Sequence, residues 1–451
     1  MANSYLSRTV GSAGNRKTMT FSFWLKRTKI SDGANPCVIC DEQASYPTHK
    51  IAFESDDTLH IRSAVGTNDS ASDQISARTY RKFRDTSSWY HFVIAIDTRE
   101  SADANKVKLY VNGEQNLSWQ SAPACSQNLD TQFNTAQAIF IGNLNSAYSD
   151  MNLAHYHFVD GTAYAPTKFG EVDSTTGEWK PILSPSSVSY GDNGWWLTFE
   201  NAGALGTDSS GESNTFAVSG NLKQSISTPS NNFLTFDENQ AHNQTPIMAG
   251  TGLSSSTSGW TSANTNYAML KGKWYAEFKC VSGTYRGVGI FRYGGNYCAD
   301  IPNKNVNSGM FPEGYFYKAD QKQLSNNNSE TTYSSWSAIN DGDVLMMAVD
   351  LDNGKIWYGV NGTWNNLGSG VGVPNTGAYP HQTFTVGTGN FWGVCAGGHT
   401  NPVIHANFGE GRFGTSALSS AVNDNGGKGT FEYTPPAGFY SICTKNIKTY
   451  G

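Results

Sequence analysis

The chain has 451 residues, of which 15% are charged and 13% aromatic, with 47 glycines and a formal net charge of −6. That length allows two or three domains. The acidic balance leaves no basic footprint for nucleic acid, and no apolar run approaches the ~20 residues that a membrane-spanning helix needs.

Few charges, many aromatics and abundant turn residues suit an all-β protein. The opening stretch MANSYLSRTVG lacks the apolar centre of a secretory signal. The expectation is a chain made in a cytoplasm that stays there, or leaves by lysis or in a particle. Residues 18–25, TMTFSFWL, alternate: Met19, Phe21, Phe23 and Leu25 face one way, and Thr18, Thr20, Ser22 and Trp24 the other. That pattern predicts a half-buried antiparallel strand. Lys50–Phe53 and Leu59–Ile61 read as a hairpin around Asp56 and Asp57. Further segments of the set are Trp89–Asp97, Val107–Gly113, Ile139–Gly142 and Leu153–Gly161.

Trp-Tyr-His-Phe-Val-Ile-Ala-Ile-Asp at 89–97, then Lys-Leu-Tyr-Val-Asn-Gly at 108–113, resembles the laminin G-like or concanavalin-type jelly roll. The opening Phe-Ser-Phe-Trp-Leu-Lys-Arg and the closing Phe-Val-Asp-Gly agree with it. The resemblance covers residues 1–170. Residues 171–250 are turn-rich yet carry Trp179, Trp195, Trp196, Phe199 and Phe216. They are too aromatic for a flexible linker and read as an ordered, mostly irregular connector.

In Asp341–Gly362, DGDVLMMAVDLDNGKIWYGVNG, both faces of 344–351 are mostly apolar, so this strand should be buried on both sides. Asp352-Asn353-Gly354 is a turn, Lys355–Val360 the return strand, and Asn361-Gly362 a second turn. This hairpin resembles the SPRY domain, as do Gly272–Phe278, Val288–Phe291, Phe408-Gly409 and Phe413 in their order. The resemblance spans about 255–415 and implies a bent β-sandwich that binds partners through loops, without catalysis. Residues 416–451, with a strand at 429–434 and Phe439-Tyr440, are expected to pack on this second sandwich, assigned to 251–415. The fold class is thus all-β: two antiparallel β-sandwiches, laminin G-like and then SPRY-like.

The order of short segments along the whole chain adds a further resemblance. The Ser-Arg-Thr start, Asn-Gly-Trp-Trp-Leu-Thr-Phe-Glu, Pro-Ser-Asn-Asn-Phe and Pro-Pro-Ala-Gly-Phe-Tyr-Ser-Ile-Cys-Thr-Lys-Asn-Ile resemble bacteriophage virion proteins of tail-fibre or decoration type. The resemblance implies a virion-surface location, other virion proteins as partners, and a homo-oligomer, with a trimer favoured.

No catalytic residues are assigned. Retaining glycan hydrolases need two carboxylates about 5 Å apart. The nearest pattern, Glu171, Asp173 and Glu178, is interrupted by the turn sequence at 174–177. No G-x-S-x-G, H-E-x-x-H or P-loop occurs. Cys37 and Cys40 form a lone C-x-x-C among seven cysteines, either ordinary strand cysteines or half of a metal or redox site. His155 and His157, two apart on a strand, either line its polar face or share a metal with a third group. No cofactor is required, although calcium is possible at Asp56, Asp57 and Asp97, since laminin G-like domains sometimes bind it through loop acids. Sugars present apolar C–H faces and hydroxyl rims, so aromatic side chains beside polar ones are the binding candidates: Tyr285, Arg286, Arg292, Tyr293, Tyr333 and Trp336. The expected function is host-surface glycan binding by a tail-fibre or adhesin-type subunit. The alternatives are a purely structural subunit acting by assembly contacts and, third, a polysaccharide depolymerase.

Overall fold

The computed structural model describes residues 4–30, 37–41, 48–66, 72–242, 244–256, 258–259, 261–293, 314–326 and 329–451. It is 48% strand and 4% helix. The chain divides into two compact units, 1–224 with 228–230, and 225–227 with 231–451. The stretch read as a connector is shared out. Trp179–Pro181, Trp195–Leu197 and Ala217–Ser219 are strands of the first unit, and Phe236–His242 and Thr245–Ile247 of the second.

In the first unit an eight-stranded sheet runs, in spatial order, Trp119–Ser121, Ser72–Lys82, Thr58–Val65, His49–Phe53, Cys37–Cys40, Ala138–Ile141, Tyr5–Thr9, Ala217–Ser219. A six-stranded sheet runs Trp195–Leu197, Met151–Asp160, Thr18–Arg27, Tyr90–Asp97, Val107–Val111, Glu114–Gln115. Met19, Phe21, Phe23 and Leu25 meet Leu6, Ile51, Phe53 and Ile61 in one core, as their alternation predicts. The other face of Thr18–Arg27 departs from expectation, because all ten residues of this strand are buried. The chain after residue 160 returns over that face. Trp179 packs on Trp24, and Phe169 and Tyr190 pack on Val93 and Val159. A Cβ on Gly170 would stand 2.6 Å from the Trp179 ring, so only glycine lets the cover settle this closely.

His91 lies under this cover. Its ring stacks on Trp24 at 4.8 Å, Trp179 Nε1 donates to its Nδ1 at 2.8 Å, and its Nε2 is 2.9 Å from Ser22 Oγ. Burial pushes its pKa down to about 3, so the ring is neutral. With Nδ1 accepting, Nε2 carries the proton and donates to Ser22. His157 is packed between Tyr190 and Trp196 and bonded to the Tyr190 hydroxyl at 2.8 Å. A bulge between Ala154 and His157 puts His155 at φ 45. His157 thus lies on a sheet face that the returning chain covers, not on the solvated polar face expected of it.

The second unit is organised by two long antiparallel strands, Lys273–Tyr293 and Phe391–Asn407. Residues 273–279 pair with Val344–Asp350 and residues 287–291 with Gly314–Lys318, so one strand passes through both leaves of a bent sandwich. Val344–Asp350 is buried on both faces, as its composition predicts. Leu345, Met347 and Val349 enter the main core. Met346 and Ala348 join Tyr275, Trp357, Phe431 and Phe439 on the other side. Asn361 and Gly362, at φ 48 and 84, have the two positive angles of a tight hairpin turn.

The C-terminal segment covers that second face. Glu277 is completely buried in it and accepts from the backbone N–H of Glu432 at 2.9 Å, that of Tyr433 at 2.8 Å and the Tyr275 hydroxyl at 3.0 Å. Burial outweighs these donors and pushes its pKa up to about 7.

Candidate functional site

Where the two long strands bend between the leaves, their pairing slips at Cys280–Ser282, Ser282–Thr284 and Thr284–Gly287. Gly283 takes φ 95, and a Cβ there would stand 2.4 Å from Pro402 Cα. Tyr285 follows at φ 55, with Thr400 and Asn401 at φ 53 and 52 on the partner strand. A non-glycine residue in this region costs on the order of 1–3 kcal/mol and persists only where its surroundings hold it.

Arg286 supplies that hold. Its side chain is 3% exposed. Nε and Nη2 grip Asp320 at 3.1 and 2.8 Å, and Nη1 reaches Asp341 at 2.6 Å. The paired fork fixes the guanidinium plane. Tyr285 itself points outward, 40% exposed, with its ring edge-on to His399 at 5.8 Å. His399 Nδ1 lies 2.6 Å from Thr400 Oγ1. An aromatic face and an imidazole therefore share one corner, with the inward-turned Arg286 and its two carboxylates behind it.

The six sequence candidates do not converge on one surface. Tyr285 presents itself as expected. Arg286, expected among exposed loop groups, is buried by its ion pairs. Trp336, also expected at a loop surface, is 4% exposed. It stacks on Tyr333 at 4.6 Å, meets Tyr317 edge-on and donates Nε1 to Asn366 O at 2.6 Å. Tyr333 is half-buried by the same stack. Arg292 and Tyr293 lie at the other end of the Lys273–Tyr293 strand. Arg292 Nη1 reaches Asn390 at 3.1 Å, and the Tyr293 hydroxyl donates to Thr265 O at 2.7 Å. Asp320, Asp341 and His399 were not singled out, because only the fold brings the two acids to Arg286 and the histidine to Tyr285.

The three calcium candidates are each matched by arginine. Asp56 meets Arg78 at 2.8 Å, Asp57 meets Arg27 at 2.9 Å and Arg84 at 2.7 Å, and Asp97 meets Arg99 at 2.8 Å. Asp97 ends a strand of the six-stranded sheet, whereas Asp56 and Asp57 turn a hairpin of the other, so their oxygens do not converge. Among the described residues no group of three or more His, Cys, Asp or Glu could hold a metal ion. Cys37 and Cys40 are buried, with Sγ 3.9 Å from Ile51 O and 3.0 Å from Asn143 O. Glu171 and Asp173 both engage Lys180, at 3.4 and 3.1 Å, and Asp173 also closes the turn through the N–H of Thr175 and Thr176.

Residues 2–154 match the family described as the concanavalin A-like lectin/glucanases superfamily. Among solved structures, the SPRY domain of human HERC1 is 17% identical, with 38% of this chain and 96% of that chain covered at a TM-score of 0.28. The TRIM65 PSpry domain is 13% identical, with 39% and 88% covered at a TM-score of 0.27. No curated protein matches the chain. No helix among the described residues is long and apolar enough to cross a membrane.

Proposed function

We propose that this protein is a carbohydrate-binding subunit of a bacteriophage virion surface, of tail-fibre or adhesin type, and that host-surface glycan docks at the Tyr285 corner of the second unit. The observation that carries this reading is the aromatic side chain held outward at φ 55, edge-on to His399. Tyr285 offers a platform for a sugar C–H face, and the His399 ring beside it offers hydrogen bonds to hydroxyls. Such a corner recognises without needing to break bonds. The virion location rests on the ordered sequence segments, and the lectin-like first domain is compatible with it. Many weak sites on a symmetric particle reach useful avidity without tight single-site binding.

Binding of the purified chain to intact candidate host cells, before and after glycan stripping, tests this. Binding lost both on stripping and in Tyr285→Ala supports it. Binding that survives both overturns it. No binding by a multimerised form leaves the structural-subunit reading.

A further inference from the structure

The outer face of the first unit's larger sheet carries three side chains in a relay. His60, on Thr58–Val65, has Nδ1 2.7 Å from Glu54 Oε1 and Nε2 3.1 Å from Ser76 Oγ. Ser76 lies on the next strand, and Glu54 follows His49–Phe53 on the other side. Lys50 Nζ reaches the same Glu54 oxygen at 2.7 Å. Burial raises the Glu54 pKa, but His60 and Lys50 outweigh it and hold the carboxyl at about 2. An ionised Glu54 only accepts, so Nδ1 presents its N–H to Glu54, and in the Nδ1–H tautomer Nε2 turns its lone pair to the Ser76 hydroxyl. This is the tautomer that a general base beside a nucleophilic serine requires. Arg62 stands directly across from Ser76, and Arg78 across from His60. Unlike the six-stranded sheet, whose outer face is covered, this face leaves His60, Arg62, Ser76 and Arg78 partly exposed.

We propose that Ser76, His60 and Glu54 form a hydrolytic site for small acyl esters displayed on a polymer. Ser76 Oγ attacks the ester carbonyl carbon while its proton passes to His60 Nε2. The carbonyl oxygen becomes an oxyanion on the side of Arg62, a cation already engaged by Asp73 at 2.7 Å. The bond from the acyl carbon to the alkoxy oxygen then breaks, and His60 returns the proton to the departing alcohol. Water attacks the acyl-serine with His60 again as base, releasing the carboxylic acid and restoring Ser76. Glu54 is a positioning residue that fixes the imidazole. An open strand face suits a short acyl group on an exposed chain rather than a free molecule held in a cleft. This activity stands apart from the Tyr285 corner and does not depend on it.

The test is incubation of the full chain with a fluorophosphonate and, separately, with p-nitrophenyl acetate. The expected result is covalent label on the peptide containing Ser76, and ester hydrolysis that falls at least tenfold in Ser76→Ala. Glu54→Gln should keep the label on Ser76 but slow it and change its pH profile. Absence of label from Ser76, or hydrolysis by Ser76→Ala at the wild-type rate, overturns the proposal. Labelling of the wild-type chain decides the matter even if a variant fails to fold.

Discussion

Arg286 Nη1 and Asp341 Oδ1 lie 2.6 Å apart, although the arginine side chain is 3% exposed and the aspartate 64%. The pair therefore spans the surface: its cation belongs to the interior and its anion to the solvent. Arg286→Ala would leave the half-buried Asp320 without its partner and release the bend. The expected loss is on the order of 3 kcal/mol, at the low end for a broken buried pair because Asp341 stays hydrated. Denaturant titration of this variant checks the value, and its glycan binding should fall with it. Arg286→Lys should not restore either, since a point charge cannot reproduce the two-nitrogen grip on Asp320.

At Tyr285 the two roles separate. Tyr285→Ala and Tyr285→Gly should both abolish cell binding. Glycine accepts φ 55 without steric cost, so Tyr285→Gly should melt no lower than Tyr285→Ala despite its more flexible unfolded chain. A glycine variant markedly less stable than the alanine variant would mean that the bend holds no strain at this residue.

His91 makes the first unit acid-sensitive. Its folded pKa of about 3 lies below the ordinary histidine value, so acid protonates the unfolded chain first. The stability it supports is present above about pH 6.5 and is lost as pH falls toward 3, at about 1.4 kcal/mol per pH unit. From pH 7 to pH 5 the loss from this residue is about 2 kcal/mol. His91→Gln should be less stable at pH 7 yet show a shallower acid slope in paired denaturant titrations. An unchanged slope would place the acid sensitivity elsewhere.

Asp57 should be structural. It sits at φ 69, fully buried, between Arg27 and Arg84. Asn tolerates that backbone angle, so Asp57→Asn isolates the charge. A loss of about 3 kcal/mol is expected, because Arg27 is left buried without its counter-charge. Added calcium should leave the melting temperature of the wild-type chain unchanged. A calcium-dependent rise that Asp57→Asn removes would contradict the ion-pair account.

Glu277 opposes His91 in sign. Its folded pKa of about 7 lies above the ordinary glutamate value, so its contribution is fully present below about pH 4.5 and lost as pH rises through 7. Glu277→Gln should remove that slope. Glu277→Ala should free the backbone at 432–433 and expose the chain beyond residue 416 to limited proteolysis before global unfolding.

The hairpin at 344–360 was legible because its signals are local: two apolar faces on one strand, Asp-Asn-Gly at one turn and Asn-Gly at the next. The inner face of residues 18–27 was legible for the same reason. Its outer face was not. Thr20 and Ser22 have the composition of a solvated face, and it is the returning chain that covers it, with residues 162–164 on Thr20 and Trp179 on the His91 that Ser22 meets. The aromatics at 333–336 were legible as aromatics but not as buried ones, since Trp336 turns inward once Asn366 offers a carbonyl. The Arg286 cluster gathers acids 34 and 55 residues away, beyond the reach of any spacing rule.

Glu277 and Asn407 stand opposite each other in register across 130 residues of chain. The second leaf therefore has no complete sheet until the Phe391–Asn407 strand has been synthesised, and Trp357 and Met346 stay uncovered until Phe431 and Phe439 follow. A nascent chain passes through a long interval with an aromatic surface open to other chains. Production yield should therefore depend more on how fast residues 391–439 are translated and shielded by chaperones than on the equilibrium stability of the folded protein.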